Sequence, residues 1–341
     1  MTKSATRITS DIDFDAAGKQ LSYLRLSHSD DRHAFGIVPV PIAVFANGAG
    51  PTVLASAGNH GDEYEGQVIL HALIRELDLV QVTGRLIVMP ALNYPAVLAG
   101  SRVSPLDAGN FNRAFPGDSE GSPTAALAHY VESEILARCD GAADLHSGGR
   151  SGNYVPCAYL HGGGGNALLR RKLAAAREFG APWTVVAQGT SDSRSMSAAC
   201  DRLGVVMVAT ELAGGGTVDR NALAIGRAGL LRLLHHFGVL AGPGPREHRA
   251  ATRLILPLGA AGSVMVPCDG LFEPACDPGD SVAAGDLAGR VWPIGELDQP
   301  GRALRFAASG IVSVRRVGAL VRRGDYVARL ARETSEAELL G

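Results

Sequence analysis

The chain has 341 residues, of which 46% are hydrophobic and 19% are charged, and its formal net charge at pH 7 is -2. This composition supports one large or two smaller folded domains and differs from that of a disordered protein. The sequence contains no block of Lys and Arg and no run of 18 apolar residues. It therefore predicts neither a nucleic-acid-binding surface nor a membrane span.

The cysteines and the N-terminus give an expectation about the compartment. The five cysteines are an odd number and include no Cys-x-x-Cys pair, which predicts reduced thiols in a cytoplasmic protein. The first fifteen residues, MTKSATRITSDIDFD, contain no apolar segment. We therefore expect no signal peptide.

Strands and helices alternate over the first two thirds of the chain. Continuous apolar runs predict buried strands, and apolar residues at helical spacing predict helices. The predicted strands are 36–46, 52–58, 84–93, 141–149, 183–189 and 205–216, and the predicted helices are 65–77, 123–140, 167–182, 195–204 and 221–240. This alternation is typical of a layered α/β domain with a largely parallel sheet, in which ligands bind beyond the carboxyl ends of the strands.

The character of the sequence changes after residue 240. The segment AGPGPREHRA, residues 241–250, is predicted to be a linker. Short apolar runs interrupted by Gly, Pro and Asp follow it, without a helical pattern before the terminal SEAELL. These runs predict a small all-β domain of about 80 residues. The expected domains are therefore 1–245, with N-terminal strands included, and 250–335.

Three predicted strand ends carry charged residues that are unusual in such places. They are His60-Gly61-Asp62-Glu63, Asp144-Leu145-His146 and Thr210-Glu211, and glycine-rich turns accompany each. Two His and one Glu are a common zinc-binding set that leaves a fourth position for water. His60 and Glu63 are three residues apart, so both can reach one ion from a tight turn. Taken alone, the first segment could equally be a solvated turn.

A second polar cluster is the segment SRVSPLDAGNFNRAFPG, residues 101–117. Arg113 beside Asn112 could bind a carboxylate through its guanidinium fork and an amide donor. Arg102 could stabilise an oxyanion. The alternative for this segment is a surface loop with salt bridges.

The motifs GNHGDE, NFNRAFPG, DLHSGG and TELAGGG, in this order, resemble those of the succinylglutamate desuccinylase/aspartoacylase family of zinc hydrolases. The resemblance covers roughly residues 35–240. It implies a zinc-carboxypeptidase-like three-layer α/β/α domain with a mostly parallel sheet and a small C-terminal β-domain similar to a barrel-sandwich. It also implies one Zn²⁺ per chain and leaves self-association open.

The resemblance implies roles for four charged residues at the strand ends. His60, Glu63 and His146 would bind zinc, and Glu211 would be the general base that activates the zinc-bound water. We add Asp144 as a hydrogen-bond partner for a zinc-bound imidazole.

For the second cluster, the resemblance implies that Arg102 polarises the scissile carbonyl and holds its oxyanion. Asn112 and Arg113 would hold the α-carboxylate of the substrate. Many family members have Asp-Leu-Asn-Arg where this chain has Asn110-Phe111-Asn112-Arg113, and the gap from Arg102 is longer than in aspartoacylase.

Within the family, the stretches GNHGDEYEG, NYPAV, SPLDAGNFNRAFPG, DLHSGG and TELAGGGT look closest to those of N-acetyl-L-2,4-diaminobutyrate deacetylases of ectoine degradation. This implies hydrolysis of a small N-acyl amino acid to acetate and diaminobutyrate. Aspartoacylase, N-succinylglutamate desuccinylase or carboxypeptidase activity at the same site stays open. A substrate ammonium group would need an acid, for which Asp192 is a candidate, whereas an acidic side chain would need Arg150 or Arg194.

A metal-binding protein without catalysis is the alternative from another class. A closed structural site takes four ligands and needs no base, whereas Glu211 lies at a separate strand end. The C-terminal segments also resemble lipoyl/biotinyl-type domains, but the hairpin Ala308-Ser309-Gly310-Ile311 contains no modifiable Lys. We therefore expect this domain to be structural or to form a wall of the active-site mouth.

Overall fold

The computed structural model describes residues 7–31, 33–188, 192–242 and 244–341. Three places discussed in the sequence analysis lie outside the described residues. They are residues 1–6 of the N-terminal segment, Gly189 of a predicted strand and Pro243 of the predicted linker. Among the residues described, no helix has both the length and the apolar character needed to cross a membrane.

Within the described residues, ten strands lie in the first part of the chain and nine in the C-terminal part. The first ten are β1 (Ile8–Thr9), β2 (Gly18–Asp30), β3 (His33–Asn47), β4 (Thr52–Ala57), β5 (Gly84–Met89), β6 (Gly141–Leu145), β7 (Gly152–Tyr154), β8 (Cys157–His161), β9 (Trp183–Ala187) and β10 (Val206–Glu211). The others are β11 (Arg253–Pro257), β12 (Ser263–Met265), β13 (Gly270–Pro274), β14 (Ser281–Val282), β15 (Leu287–Trp292), β16 (Arg302–Arg305), β17 (Gly310–Arg316), β18 (Leu320–Val321) and β19 (Tyr326–Glu333).

Seven α-helices connect or flank these strands in the described part of the chain. They are α1 (Glu65–Glu76), α2 (Tyr94–Ala99), α3 (Pro123–Tyr130), α4 (Gly165–Phe179), α5 (Met196–Leu203), α6 (Arg220–His236) and α7 (Glu336–Leu340). The predicted helix 123–140 is shorter than expected, because α3 ends at Tyr130 and a wider π-type turn, Val131–Ile135, follows. The first and last residues of this turn, Val131 and Ile135, are buried. Apolar spacing alone therefore does not distinguish the turn from an α-helix.

The centre of the large sheet is parallel, which confirms the predicted α/β class. Strands β5, β4, β6 and β10 are neighbours in this order and run parallel. Antiparallel strands join on both sides, with β3 next to β5 and β8 next to β10, so the whole sheet is mixed. Because β4, β6 and β10 are parallel, their carboxyl ends meet at one edge of the sheet.

Two apolar layers cover the two faces of this sheet. Alternate residues of a strand point to opposite faces, and β4 illustrates this: Val53 packs with residues of α1, α4 and α6, whereas Leu54 packs with residues of α3 and α5. Both side chains are fully buried. Helices therefore cover the sheet on both sides, which gives the three layers.

The C-terminal part continues the large sheet and adds a small one. Strand β11 pairs in parallel with β9 and antiparallel with β19, and β7 pairs antiparallel with β17. The small antiparallel sheet has the order β16-β15-β13-β18, and a separate apolar cluster includes Phe272, Phe306 and Val327. The domain limits 1–245 and 250–335 stay a prediction, since β9 and β11 join the two parts within one sheet.

The turn after β4 packs so closely on α2 that we expect Gly61→Ala to destabilise the protein. A Cβ at Gly61 would lie 1.9 Å from the carbonyl oxygen of Ala96 and 2.0 Å from its carbonyl carbon. Because backbone atoms cannot rotate away, we expect a loss of about 1–3 kcal/mol in the free energy of unfolding, measured by urea denaturation. Gly295→Ala is the matched control, since nothing lies within 4 Å of a Cβ there. An unchanged midpoint for Gly61→Ala would contradict this packing.

Candidate metal centre and its cavity

Three buried side chains meet at the carboxyl edge of the parallel strands. His60 and Glu63 come from the turn after β4, and His146 follows β6. One ligand atom from each of the three lies within 4.8 Å of the others. The Glu63 carboxylate lies between the rings, with Oε1 2.7 Å from His60 Nδ1 and Oε2 2.7 Å from His146 Nδ1. The structure therefore brings together the three predicted metal ligands.

The outer nitrogen of each imidazole faces a hydrogen-bond acceptor. His146 Nε2 lies 2.7 Å from Asp144 Oδ2, the partner expected from the sequence. His60 Nε2 lies 3.2 Å from Asn110 Oδ1, a contact that sequence reasoning missed. An acceptor at Nε2 favours the proton on that nitrogen and leaves the Nδ1 lone pair for a metal.

Polar groups from neighbouring strands hold Asp144 and His146 in place. Ser56 Oγ donates to Asp144 Oδ1 at 2.9 Å, and Asn59 Nδ2 donates to Asp144 Oδ2 at 3.1 Å. The backbone N–H of His146 donates to Thr210 Oγ1 at 3.1 Å. Ser56 and Asn59 were not selected from the sequence, although polar residues in and after an apolar strand were the available signal.

The electrostatics of the cluster suit a cation. Burial would raise the pKa of Glu63, but the charges of His146 and His60 and their hydrogen bonds lower it to about 2. Burial, followed by the charge of Glu63, raises the pKa of Glu211 well above its usual value. Glu211 Oε2 is buried and has no hydrogen-bond partner among the described residues. A metal ion bound to the two Nδ1 atoms and Glu63 would offset this negative charge, so the residues fit a metal.

Glu211 shares a cavity of about 480 Å³ with the three candidate ligands. It is the last residue of β10, which is parallel to β6, and its side chain lines the cavity together with that of His146. A carboxylate at this place is separate from the ligand group and free to accept a proton. This arrangement differs from a closed four-ligand site.

Arg102 lies at the edge of the ligand group. Its Nη1 is 3.3 Å from His60 Nδ1 and 3.6 Å from Glu63 Oε1, while half of its side-chain surface is exposed. The guanidinium thus reaches the ligand atoms from the open side of the cavity. This is a suitable place for a group that stabilises negative charge on a substrate oxygen.

Asn112 and Arg113 line the same cavity and are held by polar contacts. The backbone N–H of Met196 donates to Asn112 Oδ1 at 2.9 Å, so the amide oxygen is used and its NH₂ group remains a donor. Arg113 Nη1 donates to the carbonyl oxygen of Asn112 at 2.6 Å, and its Nε lies 3.0 Å from Asp192 Oδ2. These contacts preorganise two donors beside the candidate metal centre.

The sequence offered Asp192, Arg150 and Arg194 for recognition of the substrate side chain. Of these three, only Asp192 lines the cavity that contains Glu211. Hydrogen bonds from Arg194 and the charges of Arg194 and Arg113 hold the pKa of Asp192 well below its usual range. Its carboxylate is therefore already paired with two arginines. Arg150 and Arg194 are not among the described residues that line this cavity.

Aromatic and C-terminal residues that sequence reasoning did not select complete the wall. Tyr154 and Tyr159 line the cavity near Glu211, whose charge, together with burial, raises the pKa of both. For Tyr159 the value reaches about 12, with burial as the main cause. The C-terminal part contributes Val314, Arg316, Tyr326, Val327, Ala328 and Arg329. It therefore forms a wall of the cavity, as the sequence led us to expect.

Comparison with known proteins agrees with the four motifs. Residues 49–237 match the Succinylglutamate desuccinylase/Aspartoacylase catalytic domain. The chain belongs to the succinylglutamate desuccinylase/aspartoacylase family. It is 37% identical over 324 residues to the N-alpha-acetyl-L-2,4-diaminobutyric acid deacetylase of Halomonas elongata. The aligned region covers 95% of this chain and 94% of that protein. The family predicted from the sequence is thereby confirmed.

Solved structures of this family have the same fold over almost the whole chain. The product-bound ectoine utilization protein EutE (DoeB) from Ruegeria pomeroyi is 39% identical, with a TM-score of 0.92 over 96% of this chain and 99% of that one. A succinylglutamate desuccinylase/aspartoacylase from Rhodobacter sphaeroides is also 39% identical, with a TM-score of 0.91 over 96% and 100%. By name, the family and the relatives from Halomonas elongata and Rhodobacter sphaeroides are deacetylases, desuccinylases or aspartoacylases, which are amidohydrolases of N-acyl amino acids. This chain is an enzyme of that class.

His146→Ala should abolish tight metal binding, because it removes one of three ligands. Loss of an outer hydrogen-bond partner alone weakens metal affinity about 10- to 100-fold, so we expect a larger loss here. The measurement is metal content per chain by mass spectrometry after dialysis, with about one divalent ion per wild-type chain. His71 is exposed on α1, so His71→Ala is the control, and this variant should retain the metal content of the wild type. Full metal content in His146→Ala would reject this ligand.

Proposed function

We propose that the protein is a zinc-dependent deacetylase that hydrolyses N-acetyl-L-2,4-diaminobutyrate to acetate and 2,4-diaminobutyrate. The observation that supports the reaction type is the juxtaposition of three candidate ligands with a separate, half-buried carboxylate, that of Glu211, in one cavity. The substrate is inferred from the deacetylase of Halomonas elongata, which aligns over nearly the whole chain. The five cysteines, all unpaired, support a cytoplasmic location.

Zinc is the metal that the ligand set favours. Two imidazole nitrogens and one carboxylate are a common set in catalytic zinc sites, which keep an open position for water. When bound, zinc supplies a Lewis acid and makes a water molecule acidic enough to attack near neutral pH. His60, Glu63 and His146 would hold the ion, and Asp144 and Asn110 would orient the imidazoles.

Glu211 is the proposed general base and acid. Its carboxylate accepts a proton from the attacking water as the water oxygen bonds to the acetyl carbon. It then delivers this proton to the leaving nitrogen as the carbon–nitrogen bond breaks. The free Oε2 supports this role, since no other described residue competes for that oxygen. The products are acetate and 2,4-diaminobutyrate.

Arg102, Asn112 and Arg113 are proposed to bind the substrate. Arg102 donates to the acetyl oxygen as negative charge develops there, a contribution of about 3–4 kcal/mol for one well-placed donor. The Asn112 NH₂ group and Arg113 hold the α-carboxylate, which places the amide over the catalytic groups. The Asp192 carboxylate keeps Arg113 in position, and it is the remaining acid on the cavity wall that could face the substrate ammonium group.

Acetate release from N-acetyl-L-2,4-diaminobutyrate tests this function. We expect release by the purified protein, loss of release with a chelator and recovery on addition of zinc. N-acetylaspartate and N-succinylglutamate, which carry an extra carboxylate, should have kcat/KM values about 100-fold lower. Chelator-sensitive hydrolysis that favours one of these compounds would reject the substrate and keep the enzyme class. No hydrolysis by metal-loaded protein would reject both.

Glu211→Gln should separate metal binding from proton transfer. The amide is nearly isosteric but cannot accept the proton, so we expect kcat to fall by about 10²- to 10⁴-fold. Metal content and thermal stability should stay close to those of the wild type, because Glu211 is not one of the three ligands. Turnover near the wild-type rate would remove Glu211 as the base.

A further inference from the structure

A second cavity of about 350 Å³ adjoins the catalytic one. The two cavities share four lining residues, namely Tyr154, Tyr159, Val314 and Arg329. The candidate metal ligands, Glu211 and the proposed substrate anchors line only the first cavity. The second is therefore a neighbouring compartment to which the reaction described above assigns no role.

The boundary between the two cavities is a row of side chains on three paired strands. Tyr154 of β7 lies opposite Val314 of β17, and Val314 lies opposite Arg329 of β19. Directly opposite residues of antiparallel strands stand on the same face. Tyr159 lies opposite Ala209, two residues before Glu211 on β10. Arg329 therefore belongs to the boundary itself, and Glu211 lies on the side of the first cavity.

Arg329 has donors that its surroundings do not use. In the described part of the protein, its guanidinium makes one long contact, 3.5 Å to Ser263 Oγ, and lies 5.8 Å from the ring centre of Tyr326. Arg316, on the same wall, differs. It donates to the carbonyl oxygens of Gly318 and Leu320, both at 3.0 Å, and pairs with Asp325 at 3.3 Å.

The rest of the wall of the second cavity combines apolar and polar groups. Val185, Leu256, Pro257 and Leu330 contribute to the lining. Its other arginine, Arg332, is paired with Glu338. Among the described residues of this wall, Arg329 is the cation without an acidic partner, and apolar side chains lie beside it. This combination suits a small aliphatic carboxylate, whose oxygens take charged hydrogen bonds while its alkyl end contacts the apolar side chains.

We propose that the second cavity binds the acid product, a small aliphatic monocarboxylate, with its oxygens on Arg329. This inference rests on the proposed deacetylation, for which the acid is acetate. Hydrolysis converts a neutral acyl group into an anion, so Arg329 attracts the product more strongly than the acyl group of the substrate. The amino-acid product stays at Asn112 and Arg113, and the acid leaves through the junction into the second cavity.

Binding of acetate to the zinc-loaded protein tests the site directly. We would titrate ¹³C-labelled acetate at constant ionic strength and follow binding by NMR. Arg329→Gln should weaken acetate binding at least about tenfold, the effect of losing one charge-assisted hydrogen bond, and Arg329→Lys should weaken it less. Arg302→Gln is the matched control, because Arg302 is exposed on the small sheet and lines neither cavity. An equal loss in Arg302→Gln, or none in Arg329→Gln, would overturn the proposal.

A second variant tests the space and leaves the arginine intact. Ala187 lines the second cavity and is absent from the wall of the first. Ala187→Leu should reduce acetate binding severalfold with zinc content unchanged. Undiminished acetate binding by Ala187→Leu would place the acid elsewhere and contradict the proposal.

Product inhibition distinguishes the two ends of the substrate. We expect Arg329→Gln to raise the inhibition constant of acetate and to leave that of 2,4-diaminobutyrate unchanged. The opposite result would assign Arg329 to the amino acid and reject the proposal. If the wild type does not hydrolyse N-acetyl-L-2,4-diaminobutyrate but acetate binding still depends on Arg329, the proposed function fails and the carboxylate site remains.

Discussion

The structure depends on a carboxylate, that of Glu63, buried between the imidazoles of His60 and His146. Burial of an unpaired charge costs several kcal/mol, and here both oxygens find a ring nitrogen at 2.7 Å. Glu211 adds a second carboxylate to the same cavity, and its buried Oε2 has no hydrogen-bond partner among the described residues. A cation at the ligand group stabilises both carboxylates at once. This requirement explains why an apolar strand ends in the charged segment GNHGDE.

The sheet topology converts three distant sequence segments into one site. Because β4, β6 and β10 are parallel neighbours, the residues after each strand meet at one edge. The sequence was sufficient to predict this, since apolar strands followed by glycine-rich turns are local signals. It was not sufficient for β2 or β8. In β2, Leu21 and Tyr23 are exposed whereas Leu24 and Leu26 are buried, so apolar residues lie on both faces and do not alternate with polar ones. β8 is only five residues long. Weak periodicity and short length leave such strands without a clear pattern.

The parts of the site that sequence reasoning missed are contacts between distant residues. Asn110 lies 50 positions from His60, and nothing in the local sequence of either predicts their hydrogen bond. Tyr154 and Arg329 form part of the wall because β7, β17 and β19 pair in one register across the two parts of the chain. The C-terminal part therefore does more than cover the mouth of the cavity. It supplies the arginine that separates the catalytic groups from the second compartment.

The two imidazoles differ in a way that follows from their outer partners. His146 faces the Asp144 carboxylate, whereas His60 faces an amide oxygen of Asn110. An anionic acceptor increases the basicity of an imidazole more than a neutral one does. If both bind a metal, His146 would thus be the stronger electron donor to it, and His60, with Arg102 Nη1 only 3.3 Å from its Nδ1, the weaker. The weaker ligand lies on the side where Arg102 reaches the open part of the cavity. The Asn110 amide is uncharged, so it adds no negative charge beside the Arg102 guanidinium, which is proposed to bind a substrate oxygen.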